Sequence, residues 1–143
     1  MVSTSAAIEA GGSATCKEMS NETDVVRTRH VLAVKDLAVE AAYYINKLGF
    51  KNDFDMPGWA FLSLDDFKVM LGECPDDVPA AETGCHSWYA HVIVEDVDAL
   101  YEDFTERGAE ILSPITDKPW DIREFSVVTP DGHRIVFGQL ISS

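Results

Sequence analysis

Val34-Lys35-Asp36-Leu37 and, sixty residues later, Val94-Glu95-Asp96-Val97 carry the same instruction twice. Each closes a run of β-type residues, Val31-Leu32-Ala33-Val34 and His91-Val92-Ile93-Val94, and each passes through an aspartate able to cap a helix. The stretches beyond them agree. Leu37, Ala41, Tyr44 and Leu48 share one helical face ahead of Gly49, and Val97, Leu100 and Phe104 share one ahead of Gly108, so each helix has an apolar stripe and a glycine stop. Shorter alternating segments with turn residues follow both helices and read as strands. A repeat decides architecture before any single element does. The expected fold class is α+β, with two tandem βαβββ modules forming a cupped mixed sheet.

At 143 residues and 46% apolar, the chain is expected to be one domain with one core. Two modules of roughly 55 residues would each be marginal alone, so they should share a surface. The expected boundaries are an N-terminal tail at 1–25 and a domain at 26–143, its modules at about 26–74 and 86–143 and its acidic, proline-bearing linker at 75–85. No apolar run approaches the ~20 residues of a membrane span, and the tail has neither a basic start nor an apolar stretch, so a cytoplasmic location is expected. Cys16, Cys74 and Cys85 show no metal-binding spacing. Cys74 and Cys85 flank one loop and can pair if oxidised; reduced thiols are the expectation. A net charge of −14 and a pI near 4.4 exclude a nucleic-acid partner, whose phosphates demand Lys and Arg. The acidity serves solubility or, alternatively, steering of a cationic ligand.

Strands alternate faces with period two, so one anchored residue sorts its neighbours. Leu32 and Val34 belong under the first helix, and Arg29, Val31 and Ala33 opposite. Ala90, Val92 and Val94 belong under the second, with Tyr89, His91 and Ile93 opposite. A strand at Asn52–Met56 turns through Pro57-Gly58 into Trp59–Leu64, which leaves Trp59, Phe61 and Ser63 open, and Phe67–Leu71 then exposes Lys68 and Met70. In the second module Glu110–Ser113 is followed by a proline-containing loop through Trp120. Arg123–Val128 leaves Glu124 and Ser126 open, and the strand after the Thr129-Pro130-Asp131-Gly132 turn leaves Arg134 and Val136 open. A mixed aromatic and polar lining suits a small-molecule pocket; a solvated face or a contact with a second chain is the alternative. The expected ligand-binding residues are Arg29, Trp59, Phe61, Lys68, Met70, Tyr89, His91, Trp120, Glu124 and Arg134, in which Arg29, Lys68 and Arg134 outweigh Glu124.

The ordered set Val34-Lys35-Asp36-Leu37, Tyr43-Tyr44, Leu48-Gly49-Phe50, Val94 to Tyr101, and Pro130-Asp131-Gly132-His133-Arg134-Ile135 resembles the vicinal oxygen chelate superfamily. That superfamily includes glyoxalase I, methylmalonyl-CoA epimerase, extradiol dioxygenases, and the fosfomycin and bleomycin resistance proteins, and the resemblance spans about Thr28 to Gln139. It implies two βαβββ modules, usually in a dimer. Metal-dependent members bind a divalent ion through four strand positions, which fall here on Arg29, Met70, Tyr89 and Val136. None is an imidazole or a carboxylate, so no metal, no other cofactor and no catalytic residue is expected. The resemblance is nearest to the metal-free bleomycin resistance proteins, which sequester a drug between aromatic walls of a dimer. It implies binding and sequestration of an antibiotic-like or aromatic small molecule by a homodimer, more a binding protein than an enzyme. The alternative is a metal-dependent lyase, isomerase or dioxygenase with displaced ligands such as His91, Glu73 and Glu124.

Overall fold

Two aspartates start the helices. Asp36 Oδ1 accepts the Val39 N–H at 3.2 Å and opens α1 (Leu37–Leu48), and Asp96 Oδ1 accepts the Ala99 N–H at 3.1 Å and opens α2 (Val97–Arg107). Gly49 and Gly108, both left-handed, end them. In this computed structural model, which describes residues 23–141, the strands are β1 (His30–Val34), β2 (Lys51–Met56), β3 (Trp59–Leu64), β4 (Phe67–Glu73), β5 (Trp88–Ile93), β6 (Ile111–Lys118), β7 (Ile122–Val128) and β8 (Arg134–Leu140). They form two four-stranded mixed sheets, ordered β1-β4-β3-β2 and β5-β8-β7-β6, in which β1–β4 and β5–β8 pair parallel and the rest antiparallel. The architecture is α+β with one βαβββ unit per sheet. Of the tail read at 1–25, residues 1–22, Cys16 among them, lie outside the described residues. No helix among the described residues is long and apolar enough to cross a membrane.

Both sheets turn the same parity inward. Leu32, Val34, Leu62, Val69 and Leu71 meet Phe125, Val127, Ile135 and Phe137 in one core with Tyr44, Leu48, Val97 and Phe104 from the helices. The Phe67 and Phe137 rings meet edge-on across it at 6.1 Å. Each such side chain contributes roughly 1.5–3 kcal/mol when fully buried, and neither module alone closes this layer.

The apolar stripe of α1 also contains a carboxylate that the spacing argument passed over. Glu40 is buried; one oxygen accepts the Asp131 N–H at 3.0 Å, and the other lies 3.6 Å from His133 Nδ1. Asp131 in turn accepts the Lys35 N–H at 3.2 Å, so the turn before β8 is docked on the start of α1. The stretch read as a linker, 75–85, is tied to that same turn. It runs into short 3-10 helices at Ala80–Glu82 and Gly84–Ser87, and the Ala81 N–H donates to Asp131 O at 3.0 Å.

One segment departs from expectation. The loop read from Pro114 towards Trp120 is mostly strand, because β6 runs on through Pro114 to Lys118. Among the described residues β6 is an edge strand paired only with β7, with register shifts on either side of Ser113, and an edge tolerates a residue without an N–H.

Candidate functional site

The outer face of the second sheet carries His91, Glu124, Ser126, Arg134 and Val136, as period two requires: His91 pairs with Val136, and Val136 with Ser126. At the start of β5 the register passes from Trp88–Arg134 to Ala90–Ile135, which leaves Tyr89 as the extra residue of a bulge. Tyr89, expected on the open face, is therefore turned into the junction between the modules. Its hydroxyl is 2.8 Å from that of Tyr44, and its ring stands edge-on to His133 at 5.8 Å. Burial raises the pKa of both phenols above the ordinary tyrosine value; the Tyr89 neighbour pushes Tyr44 further the same way. Trp88 takes the outer position instead.

Trp88, Trp120, Lys118, Ser126 and Val136 line a pocket of about 260 Å³ on this face, with Glu124 in its wall. Glu124 Oε1 accepts from Trp120 Nε1 at 3.4 Å and lies 3.3 Å from His91 Nε2. Ser126 Oγ is buried with no hydrogen-bond partner among the described residues. Such a group is costly alone. The Arg134 guanidinium lies 4.6 Å over the Trp88 ring and donates to Ser87 Oγ at 2.6 Å and to Gly84 O, so the second 3-10 helix holds it in place.

The outer face of the first sheet is also aromatic. The Trp59 indole lies across Gly72, where a Cβ would come within 2.8 Å of the ring. Phe61 meets Phe54 at 5.8 Å, and the Arg29 guanidinium sits 5.2 Å above Phe61. Met70 pairs with Phe61 across the sheet, and Lys68 with Ser63. Thus Arg29, Trp59, Phe61, Lys68 and Met70 gather on one sheet and His91, Trp120, Glu124 and Arg134 on the other. The inner faces of the two sheets share one core, so a single chain does not bring the two sets into one pocket. Of the expected residues, Arg29 and Lys68 lie on the first sheet without an expected acid beside them, whereas Arg134 shares the second sheet with Glu124.

Of the alternative metal ligands, His91 and Glu124 meet, but Glu73 caps the other module, accepting the Leu37 N–H at 3.1 Å. Among the described residues no group of three or more His, Cys, Asp or Glu is placed to hold a metal ion. Cys74 and Cys85 are exposed free thiols. A wider groove of about 780 Å³ runs between the β3–β4 turn and the start of α2. Its polar lining is carboxylate, including the capping Asp96, and none of the expected site residues reaches it. Sequence reasoning missed Trp88, Phe54 and Lys118. The first two sit beside register shifts, at Trp88/Ala90 and Asn52/Phe54, which no residue pattern announces.

Comparison with known proteins adds to this geometry. The profile of the Glyoxalase/Bleomycin resistance protein/Dioxygenase superfamily matches residues 27–137. Bleomycin resistance proteins of Geobacillus stearothermophilus and Staphylococcus aureus are 34% identical over 128 residues, covering 78% of this chain and 95% of theirs. Among solved structures, TioX from Micromonospora sp. ML1 aligns with a TM-score of 0.64 at 26% identity, covering 79% of this chain and 98% of its own. The bleomycin-binding protein of Streptomyces verticillus, solved with copper(II)-bleomycin, aligns with a TM-score of 0.63 at 21% identity, covering 85% and 99%; that likeness speaks for the fold. With a profile spanning both modules and relatives matched nearly end to end, the chain belongs to the glyoxalase/bleomycin resistance protein/dioxygenase superfamily.

Proposed function

We propose that this protein is a bleomycin resistance-like binder that sequesters a planar, antibiotic-like or aromatic small molecule in the cytoplasm, without a metal and without turning it over. The observation that carries this reading is the pocket between Trp88 and Trp120, with Glu124 in its wall and the unpartnered Ser126 hydroxyl at its base. Two rigid indoles provide stacking area at low entropy cost, and the polar groups orient what lies between them. The relatives named as bleomycin resistance proteins support an antibiotic as the ligand.

The working unit in this reading is a homodimer. The aromatic face of the first sheet, with Trp59, Phe61, Arg29, Lys68 and Met70, would meet the second sheet of another copy and close a groove over His91, Trp120, Glu124 and Arg134. Among the described residues the outer edges of β1 and β5 are unpaired, and they carry Val31, 62% exposed, and Ile93, 49% exposed, which suits them to that contact.

The residue types at the four family positions support a metal-free reading, since Arg29, Met70 and Val136 offer no ligand for a hard cation and Tyr89 is turned inward. An enzymatic reading has one observation in its favour, the contact of His91 with Glu124, the arrangement of a general base with an orienting carboxylate.

Calorimetric titration of the full chain with bleomycin and with a panel of planar heteroaromatic antibiotics, alongside metal analysis, tests the proposal. Stoichiometric binding that Trp120→Ala weakens, with the ligand recovered intact, is the expected result. A folded protein indifferent to the whole panel would sink the binding reading. Ligand recovered chemically altered, with that turnover abolished in His91→Ala, would establish the enzyme.

A further inference from the structure

We infer that the chain carries a second ligand site: a pocket at the end of the first sheet's open face that holds the phosphate or carboxylate of a small aromatic anion. Arg27, Arg29, Lys51 and Lys68 converge on a cavity of about 480 Å³ whose acidic side chains are Asp53 and Asp65. The whole chain has 11 basic against 25 acidic residues, so four cations around one cavity run against the charge of the molecule.

The local acids do not satisfy these cations. Asp53 lies 3.9 Å from both Arg29 Nη1 and Lys51 Nζ, at the limit of ion pairing, and its Oδ1 already accepts the Ser63 hydroxyl at 3.1 Å. Among the described residues Lys68 Nζ reaches only the Asp65 carbonyl, at 3.2 Å. The Arg29 Nη1 atom is buried and has no hydrogen-bond partner among the described residues. A buried charged donor without an acceptor is unfavourable, and an anionic oxygen in the cavity would supply one.

The ordinary explanation is that these cations offset the C-terminal end of α1, because Gly49 lines the same cavity. That end has partners from elsewhere. The Gly49 and Phe50 N–H groups both turn back to Tyr44 O, and Arg107 Nη1 donates to Asn46 O at 3.3 Å. The neighbouring surface suggests what the anion is attached to. Phe61, under the Arg29 guanidinium, continues into Phe54, which is 59% exposed, so a ring carrying the anion would rest against them. The site shares Arg29 and Phe61 with the groove proposed above but stands on a single chain and does not require the Trp88–Trp120 pocket.

The test is calorimetry of the full chain with phenyl phosphate. Binding is expected to weaken between ~20 and ~200 mM salt, as screening requires. The double variant Arg27→Gln/Lys68→Gln alters exposed or half-buried side chains and should fold; it is expected to lose roughly tenfold or more in affinity. Asp53→Asn removes the competing carboxylate and should bind more tightly than the parent. Absence of binding to folded parent protein up to about 10 mM phenyl phosphate would overturn the inference. Undiminished affinity in the double variant, or weaker binding in a folded Asp53→Asn, would do the same.

Discussion

Ser126 shows how a single residue ties stability to function. Its hydroxyl is buried and unpartnered, so Ser126→Ala removes an uncompensated polar group and leaves a well-packed position. The variant should melt at or above the parent temperature while binding the aromatic ligand more weakly, by about 1 kcal/mol for a lost neutral hydrogen bond. A fall in both melting point and affinity would mean that the hydroxyl is structural. Tyr44 and Tyr89 make the opposite case. Tyr44→Phe leaves the Tyr89 hydroxyl without its partner in the interior and should destabilise the fold by about 1–3 kcal/mol in urea denaturation. The same pair has a pH signature. Burial raises the phenol pKa values of Tyr44 and Tyr89, so the folded state holds these protons more tightly than the unfolded chain does. The stabilisation is complete below the unfolded value of about 10 and is lost as pH rises through the folded values. In a spectrophotometric titration these phenols should ionise only together with loss of the near-UV circular dichroism signal. Their smooth ionisation near pH 10 in a folded chain would contradict the buried placement.

At the scale of elements, the turn before β8 holds the two modules and their connection together. Gly132 has φ near 98°, and a Cβ there would fall on the Ala81 backbone. Gly132→Ala should therefore cost about 2 kcal/mol or more, from left-handed strain plus the displaced 3-10 helix, and should lower the cooperativity of denaturant unfolding. The helix boundaries were fully legible in the sequence. Asp36 and Asp96 cap, Gly49 and Gly108 stop, and both signals act within one turn of chain. Strand faces were legible wherever the ladder is regular, as for Phe61, Lys68, Glu124 and Arg134. They failed at Tyr89, because one inserted residue reverses every assignment before it and is specified by pairing with β8, a strand more than forty residues away. Pro114 misled for a related reason. Proline breaks a strand only where its N–H is needed, and whether a strand lies at an edge is not written locally.

At the scale of the molecule, the proposed groove needs two copies. Sedimentation of the parent chain at micromolar concentration should give a dimer, and Val31→Lys/Ile93→Lys, which places charge on both unpaired edges, should give a folded monomer with much weaker antibiotic binding. A parent protein that sediments as a monomer yet binds the ligand tightly would show that the second sheet suffices.

Sequence alone determined the repeat, the two capped helices, the α+β class and the residue types on each outer face, because capping and period-two or helical spacing are local physics. It also carried the family resemblance that the profile and the relatives established. Only the tertiary structure decided that Tyr89 lies inside and Trp88 outside, that Glu40 and His133 meet in the core, that Arg134 is held by its own module, and that the two aromatic faces stand on separate sheets. Each of these depends on which distant segment a residue is packed against, and that choice is made by pairing register and by the shared core of the whole chain.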